Sequence, residues 1–229
     1  HGFVAQMSAR GVRAFLVERG VEASSCTGEC GFVQVDNAIE ALQRLAAYHR
    51  AQFRGTVVGI TGSNGKTVIK EWIAEELPEG MKYYRSPKSY NSQLGVPLSV
   101  LMLEGDEELA IFEAGISKPG EMERLERIIR PDAVIFTSIG DAHQENFINL
   151  EQKCDEKMIL ARSASKIIYH SYYEPLGRMV AAHFADRRPV DAASYPEVPE
   201  SVIGNAASRR NAQIVEAFCD AMRYPAPSF

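Results

Sequence analysis

The stretch Thr56–Trp72, TVVGITGSNGKTVIKEW, decides the fold class of this chain. An apolar run that ends at Ile60 is typical of a buried strand. A loop with Gly62 and Gly65 follows, and a helix is predicted to begin near Lys66. Such a unit points backbone N–H groups and the positive end of a helix at one place, which suits a phosphate group. The common pattern G-x-x-x-x-G-K-[ST] is not matched, because Ile60 stands where its first glycine belongs.

This loop predicts a site for a nucleoside triphosphate. Lys66 is expected to reach the outer phosphates, and the Thr67 hydroxyl is expected to ligate Mg²⁺. The alternative is a glycine-rich turn whose lysine is solvated. The order of strand, loop and helix favours the phosphate site over that turn.

The rest of the chain predicts an α/β fold. Beyond Phe32, apolar strand-like runs alternate with amphipathic helical stretches, as in a mostly parallel sheet that is covered by helices on both faces. Helices are expected from an N-cap at Asp36 to about Phe53, and from Ser117 to a stop at Pro131. The predicted strands are Thr56–Ile60, Leu109–Glu113, Ala133–Thr137 and Lys166–Tyr169.

Two more polar side chains are expected at the same edge of the sheet. Glu113 follows an apolar run and ends its strand, where an acid is able to hold the metal of a nucleotide. His143 lies on the loop after the next strand. Because loops at the carboxyl ends of parallel strands converge on one crevice, Lys66, Glu113 and His143 are expected to meet. The alternatives are a strand-end glutamate in water and a structural histidine.

Lys157 is predicted to face inward. On a helix of about 100° per residue, Leu150, Cys154 and Ala161 fall on the same side as Lys157. A buried ammonium tends to lose its proton, and a neutral amine is able to react with carbon dioxide to form a carbamate. The alternative is an inward lysine that pairs with a glutamate or extends to solvent.

The composition describes an ordinary globular protein. Of 229 residues, 45% are hydrophobic and 24% are charged, and the net charge is −5, which argues against a coat for nucleic acid or a polybasic membrane surface. No apolar run approaches the ~20 residues that span a bilayer, so we expect a cytoplasmic protein without membrane insertion. The cysteines fit reduced thiols, and we interpret the neighbouring Cys26 and Cys30 as incidental rather than as half of a metal site.

Several motifs together resemble the Mur ligase family. In order, they are GITGSNGKT, SYNSQLGVPLSVL, FEAGISKPGEM, TSIGDAHQENF and GNAASRRNAQ. The phosphate loop of that family is G-x-x-G-K-[ST], so Gly62 and Gly65 are its glycines and Ile60 is no defect. GVPLSVL and DAHQENF favour the branch that adds D-alanyl-D-alanine to UDP-N-acetylmuramoyl-tripeptide.

The resemblance also implies a domain division. Residues 1–53, with a short strand in RAFLVE, are similar to the end of the N-terminal domain that binds the UDP-sugar, followed by its linker helix. Residues 54–229 are similar to the central ATPase domain. The chain begins at His1 and the family's C-terminal domain is expected to be absent, so we interpret the chain as a fragment. Some members are fused to an alanine racemase, but no pyridoxal-phosphate motif is present here.

The implied function is ATP-dependent amide bond formation in peptidoglycan precursor synthesis. ATP would phosphorylate the terminal carboxylate of a UDP-N-acetylmuramoyl-peptide, and the amine of D-alanyl-D-alanine would attack the acyl phosphate. ATP and Mg²⁺ are the implied cofactors, and nucleic acid is not an implied partner. The alternatives are another Mur or folylpolyglutamate-type ligase and a nucleotide-binding module without catalysis.

Matched residue by residue, the family's site falls on a small set of positions. The catalytic residues would be Lys66, Glu113, His143 and Lys157. The ATP-binding residues would be Gly62, Ser63, Asn64, Gly65, Lys66, Thr67 and Asn211. The metal ligands would be Thr67, Glu113, His143 and a carbamylated Lys157. Asn91 would lie near the acyl-phosphate chemistry. Val68 departs from a common second threonine, and DEKMI lacks the glycine and glutamate that often follow the family's lysine.

Overall fold

A computed structural model describes residues 3–20, 26, 28–140 and 144–229 of the chain. The strands are β1 (Ala14–Glu18), β2 (Gly31–Val35), β3 (Thr56–Thr61), β4 (Tyr83–Arg85), β5 (Leu109–Ala114), β6 (Ala133–Phe136), β7 (Lys166–Tyr169) and β8 (Val190–Asp191). Within the described residues, the main sheet has six strands in the order β4-β5-β3-β6-β7-β8, and each neighbouring pair is parallel. The predicted α/β fold is confirmed.

The structure corrects some strand boundaries. β7 has the predicted ends, whereas β3 and β5 each continue past theirs, to Thr61 and Ala114. β6 stops at Phe136, before the predicted end at Thr137. The edge strands β4 and β8 are missing from the sequence prediction. Both are short and partly exposed, so their residues show no alternation of apolar and polar side chains that could be recognised.

The helices are α1 (Val4–Ala9), α2 (Ala38–Gln52), α3 (Lys66–Glu75), α4 (Gly95–Val100), α5 (Glu121–Ile129), α6 (Leu150–Met158), α7 (Leu176–His183) and α8 (Ala206–Met222). The cap of α2 is Asn37, whose side chain accepts a hydrogen bond from Glu40 N at 3.0 Å, so the prediction of Asp36 is wrong by one residue. α5 ends before Pro131, as predicted. In the part of the chain that is described, none of the helices combines the length and hydrophobicity of a membrane span.

Apolar side chains cover both faces of the sheet. Every residue of β5 is buried, as expected for a parallel strand that is covered on two sides. One face packs against α2, α4, α5, α6 and α7, with Phe112 and Phe136 in its core. The other face packs against α3 and α8 through residues such as Ile60 and Phe218. The predicted helices on both faces are therefore confirmed.

The segment ahead of α2 forms a separate sheet, in which β1 and β2 pair in parallel. The short strand predicted in RAFLVE is confirmed, whereas α1 and β2 were not predicted. The Glu18 carboxylate accepts the N–H of Ala38 at 3.1 Å, which ties this sheet to the first turn of α2. Because α2 packs on α4 and α5 of the main domain, the boundary at residue 53 stays a prediction.

Candidate functional site

The loop between β3 and α3 depends on its glycines. Gly62 and Gly65 have φ angles of 151° and 86°, a region of backbone conformation that L side chains rarely adopt. A Cβ atom at Gly62 would also overlap Thr137 Oγ1. A Cβ atom at Gly65 would lie 3.1 Å from Asn211 Oδ1. A side chain at either position would therefore displace its neighbours.

The segment that leaves β6 holds this loop in place. Ser63 N donates to Ser138 O at 2.6 Å, and Asn64 N donates to the Ser138 hydroxyl at 3.2 Å. The Thr137 hydroxyl donates to Asn64 O at 2.6 Å. Gly140 N donates to the Ser63 hydroxyl at 3.0 Å. Because the amides of Ser63 and Asn64 are engaged in this way, the first-turn amides of α3, which have no side-chain cap, are the donors left for an anion.

Lys66 is the first residue of α3 and folds back over the loop. Its Nζ donates to the carbonyl oxygens of Gly62 at 2.8 Å and Ser63 at 3.3 Å. Burial lowers the pKa of Lys66, and the negative charge of Glu113 opposes that lowering. An ammonium group held over such a loop provides positive charge for the outer phosphates of a nucleotide.

Glu113 lies in β5 near its carboxyl end and is fully buried. The Thr67 hydroxyl donates to Glu113 Oε1 at 2.9 Å, and Lys70 Nζ lies 2.8 Å from the same oxygen. Glu113 Oε2 has a longer contact, 3.4 Å from Asn91 Nδ2. The structure thus brings together three predicted site residues, Thr67, Asn91 and Glu113.

A hydroxyl and a carboxylate oxygen are ligands that Mg²⁺ prefers, so Thr67 and Glu113 fit this ion. Within the residues that the structure describes, no group of three or more His, Cys, Asp or Glu side chains converges. A complete set of protein ligands for Mg²⁺ would therefore need residues beyond Thr67 and Glu113. The sequence prediction offers Lys157 as a carbamate and His143, and His143 lies outside the described residues.

Lys157 faces inward on α6, as the helical periodicity predicted, and is 2% exposed. Its Nζ donates to Gly62 O at 3.2 Å. Burial, together with the positive charges of Lys66 and Lys153, lowers the pKa of Lys157 to about 7. A substantial fraction of this amine is therefore neutral near pH 7, which is the form that reacts with carbon dioxide.

A cleft of about 370 Å³ collects several of the predicted residues. Its lining includes Gly62, Ser63, Lys66, Asn91 and Lys157. Thr67 and Glu113 lie next to the cleft and are connected to it through Asn91. Asn211, on α8, approaches the loop between β3 and α3 at Gly65.

Two buried lysines near this cleft were missed by the sequence analysis. Lys70 and Lys153 are 0% and 1% exposed, and each lies one helical turn from a lysine that was predicted to act in the site. Lys153 Nζ donates to Gly140 O at 2.5 Å, on the segment that holds the loop. Residues four apart share one face of a helix, so the spacing from Lys66 and from Lys157 is the signal that could have found them.

Comparison with known proteins gives a family match over the site. The family model of the Mur ligase middle domain matches residues 60–195. A relative from Borreliella burgdorferi, a UDP-N-acetylmuramoyl-tripeptide--D-alanyl-D-alanine ligase, is 37% identical over 157 residues, which cover 62% of this chain and 34% of that protein. A relative of the same name from Bacillus subtilis is 34% identical over 158 residues, which cover 69% of this chain and 34% of that protein. The chain thus spans about a third of the length of the curated relatives it matches.

Solved structures share the fold. The crystal structure of the MurF ligase from Thermotoga maritima in complex with ADP has a TM-score of 0.81 at 22% identity, over 100% of this chain and 60% of that one. A crystal structure of MurF from Acinetobacter baumannii has a TM-score of 0.80 at 23% identity, over 97% of this chain and 54% of that one. Folylpolyglutamate synthetase from Helicobacter pylori has a TM-score of 0.55 at 12% identity, over 81% of this chain and 59% of that one. Likeness at these identities shows the fold alone.

Proposed function

Since the chain belongs to the Mur ligase family, we propose that it is the ATP-binding part of a ligase that joins D-alanyl-D-alanine to UDP-N-acetylmuramoyl-tripeptide. The observation that carries this proposal is the cleft that gathers Lys66, Asn91 and Lys157 beside a buried Glu113. Curated relatives named for this activity are up to 37% identical. The reaction belongs to peptidoglycan precursor synthesis, and its nucleotide-linked substrates would place it in the cytoplasm.

We infer that ATP binds with its outer phosphates on the loop and the first turn of α3. The amides of that turn and the Lys66 ammonium would supply the positive charge. Ser63 and Asn64 would maintain the shape of the loop through their hydrogen bonds to the segment after β6. We assign Asn211 to the adenine, since its side chain lies against Gly65 and the family resemblance gives this asparagine that role.

The proposed reaction passes through an acyl phosphate. A carboxylate oxygen of the peptide attacks the γ-phosphorus of ATP, the bond to ADP breaks, and the acyl phosphate forms. The amine nitrogen of D-alanyl-D-alanine then attacks the acyl carbon, phosphate leaves, and the nitrogen loses a proton. Lys66 would stabilise the charge on the transferring group, and Asn91, which lines the same cleft, would orient the carboxylate.

Mg²⁺ would supply further positive charge to the phosphates when bound, and Thr67 and Glu113 would hold it. We propose that Lys157 joins them as a carbamate, with His143 as a further ligand. The neutral Lys157 amine adds to carbon dioxide, an N–C bond forms, and a proton is released. The product is an anion, so the reaction places a negative charge beside Lys66 where the neutral amine stood.

The domain division is part of the proposal. Residues 1–53 would be the end of the UDP-sugar domain with its linker helix, and residues 54–229 would be the ATPase domain. The separate sheet of β1 and β2 supports this division, because none of its strands joins the main sheet. The hydrogen bond from Ala38 N to the Glu18 carboxylate joins this sheet to α2, as expected if α2 is the helix that links the two domains.

Phosphate release by the full-length protein tests the proposed function. With ATP, Mg²⁺ and UDP-N-acetylmuramoyl-tripeptide present, D-alanyl-D-alanine is expected to raise the rate of phosphate release, whereas glutamate is not. Stimulation by a different amino compound would indicate another Mur or folylpolyglutamate-type ligase. ATP binding with no phosphate release under any of these conditions would indicate a nucleotide-binding module. Lys66→Ala is the control for release by a contaminating ATPase.

A further inference from the structure

Lys70 is a buried cation that has no part in the proposed reaction. It lies on α3, one turn after Lys66, and its side chain is 0% exposed. Its Nζ lies 2.8 Å from Glu113 Oε1 and donates to Ser86 O at 2.8 Å and Lys88 O at 2.6 Å. A longer contact of 3.4 Å joins the same Nζ to Glu71 Oε1 on α3. An ammonium group has three N–H donors, so the three shorter contacts are enough to use all of them. The contacts join three elements: α3, β5 and the loop after β4.

We propose that Lys70 is a positioning residue that fixes the Glu113 carboxylate and the loop from Ser86 to Asn91 in the geometry the cleft requires. The part that concerns Glu113 rests on the proposed function, in which this carboxylate holds Mg²⁺. The part that concerns the loop rests on the contacts of Lys70 alone.

The contacts of Glu113 show how its orientation is set. Oε1 takes both short contacts, from Lys70 at 2.8 Å and Thr67 at 2.9 Å. Rotation of the carboxylate would break both, so Lys70 holds Oε1 on the α3 side. Oε2 is left toward Asn91, with a contact of 3.4 Å that leaves room for a stronger ligand. Outer partners of a ligating carboxylate are known to set metal affinity in this way.

The loop after β4 shows the second role. Lys88 has a φ of 49°, in the left-handed region that a residue with a side chain disfavours. Its carbonyl oxygen is one of the acceptors of Lys70, so the hydrogen bond helps to hold this conformation. The loop then leads to Asn91, whose carbonyl accepts Gly115 N at 2.7 Å. Lys70 therefore anchors the loop that presents Asn91 to the cleft.

Packing alone does not explain a lysine at this position. A buried ion pair loses the hydration of both charges, and apolar side chains of similar volume often stabilise a fold as well or better. A methionine at residue 70 would fill a similar volume without that loss. The polar contacts of Lys70 with Glu113, Ser86 and Lys88 are therefore the reason to expect a functional role.

Calorimetric titration with ADP tests the role at Glu113, once with MgCl₂ and once with EDTA. In the unmodified protein, Mg²⁺ is expected to tighten ADP binding. In Lys70→Met, we expect the ratio of the ADP affinities with MgCl₂ and with EDTA to be smaller by roughly tenfold or more. The ADP affinity in EDTA should stay close to that of the unmodified protein. Lys82→Met is the matched control, because Lys82 is an exposed lysine directly before β4. This variant should keep the full effect of Mg²⁺ on ADP affinity.

Each other outcome has a distinct meaning. An equal gain from Mg²⁺ in Lys70→Met and the unmodified protein would overturn the inference and leave the proposed function standing. Equal losses of ADP affinity with Mg²⁺ and with EDTA would show a general structural defect and would also overturn it. No gain from Mg²⁺ in the unmodified protein would contradict the proposed function itself and, with it, the role of Lys70 at Glu113.

The role at the loop is tested without any ligand. Lys70→Met leaves Glu113 without its cation and is expected to reduce stability, so Lys70→Met/Glu113→Gln is compared with Glu113→Gln alone. Both variants lack the ion pair with Glu113, but only the first removes the donor to Ser86 O and Lys88 O, together with the longer contact to Glu71 on α3 itself. We expect faster amide hydrogen exchange in the segment 86–93 of the double variant. Equal exchange in the two variants would overturn the role at the loop.

Discussion

Lys66 and Lys157 donate to the same acceptor, the carbonyl oxygen of Gly62, at distances of 2.8 and 3.2 Å. Two helices, α3 and α6, therefore bring two lysine side chains to one point of the loop after β3. Their repulsion contributes to the low pKa of Lys157. A bound anion would relieve this repulsion, so the arrangement is consistent with the proposed phosphate site.

The first prediction concerns Lys66. Lys66→Met removes the charge over the loop and keeps most of the side-chain volume. Because a hydrogen bond to a charged group contributes about 1.5–3 kcal/mol, ADP affinity measured by calorimetry is expected to fall roughly tenfold to a hundredfold. Lys118→Met, the same change at an exposed lysine, should leave the affinity unchanged. An unaltered ADP affinity in Lys66→Met would refute the assignment of the phosphate loop.

The second prediction concerns the pH dependence of stability. The folded protein lowers the pKa of Lys157 from 10.5 to about 7, so between these values the unfolded chain binds more protons than the folded one. The contribution of Lys157 to the free energy of unfolding therefore rises as the pH rises above 7, by at most about 1.4 kcal/mol per pH unit. Below pH 7, the full cost of the buried charge is present.

Urea unfolding in buffer free of carbon dioxide measures this contribution. Lys157→Met should lose the rise between pH 7 and 9, and Lys118→Met should keep it. The range stops at pH 9 because burial raises the pKa of the Cys154 and Cys219 thiols from 9.0 to about 12, which lowers stability at higher pH. The same pH dependence in Lys157→Met and the unmodified protein would show that Lys157 is not the responsible group.

The third prediction separates steric overlap from backbone strain at Gly62. Gly62→Ala and Gly105→Ala both place a side chain at positive φ, but only at Gly62 does the new Cβ atom meet Thr137; at Gly105 it meets nothing within 4 Å. Overpacking of this kind costs roughly 1–3 kcal/mol, so Gly62→Ala should lower the free energy of unfolding by about that much more than Gly105→Ala. Urea unfolding of both variants provides the comparison, and equal losses would contradict the overlap. Thr137→Ala should recover part of the loss in Gly62→Ala.

The sequence predicted those features of the site that depend on local patterns. Glycine spacing predicted the tight loop between β3 and α3, and the helical period predicted that Lys157 faces inward. Lys70 was missed because a lysine on a helix normally extends to solvent, and its burial depends on Glu113, Ser86 and Lys88, which other elements supply. The spacing of four residues from Lys66 places Lys70 on the same face of α3, but it contains no information on those three partners.

The edge strands were missed for a related reason. Tyr83–Arg85 and Val190–Asp191 each pair with one neighbouring strand through backbone hydrogen bonds, which place little constraint on their side chains. The cap of α2 shows the same limit on a smaller scale, since Asp36 and Asn37 are both good caps and only the geometry of the turn selects Asn37.

The last prediction is that Lys157 carries a carbamate when the protein is supplied with carbon dioxide. The amine is 2% exposed and its pKa is about 7, so the reactive neutral form is common at pH 7.5 and the product is shielded from bulk water. Incubation with ¹³C-bicarbonate should give a carbamate signal in the ¹³C NMR spectrum of the unmodified protein, and Lys157→Ala should lack it.

In the full-length protein, Lys157→Ala should lose phosphate release, and a small carboxylate such as formate should restore part of it by replacing the missing anion. Lys153→Ala is the control for a second buried lysine on the same helix face and should keep the ¹³C signal. Full phosphate release by Lys157→Ala without added carboxylate, or a ¹³C signal that persists in that variant, would leave Lys157 as a buried cation that contacts Gly62 and nothing more.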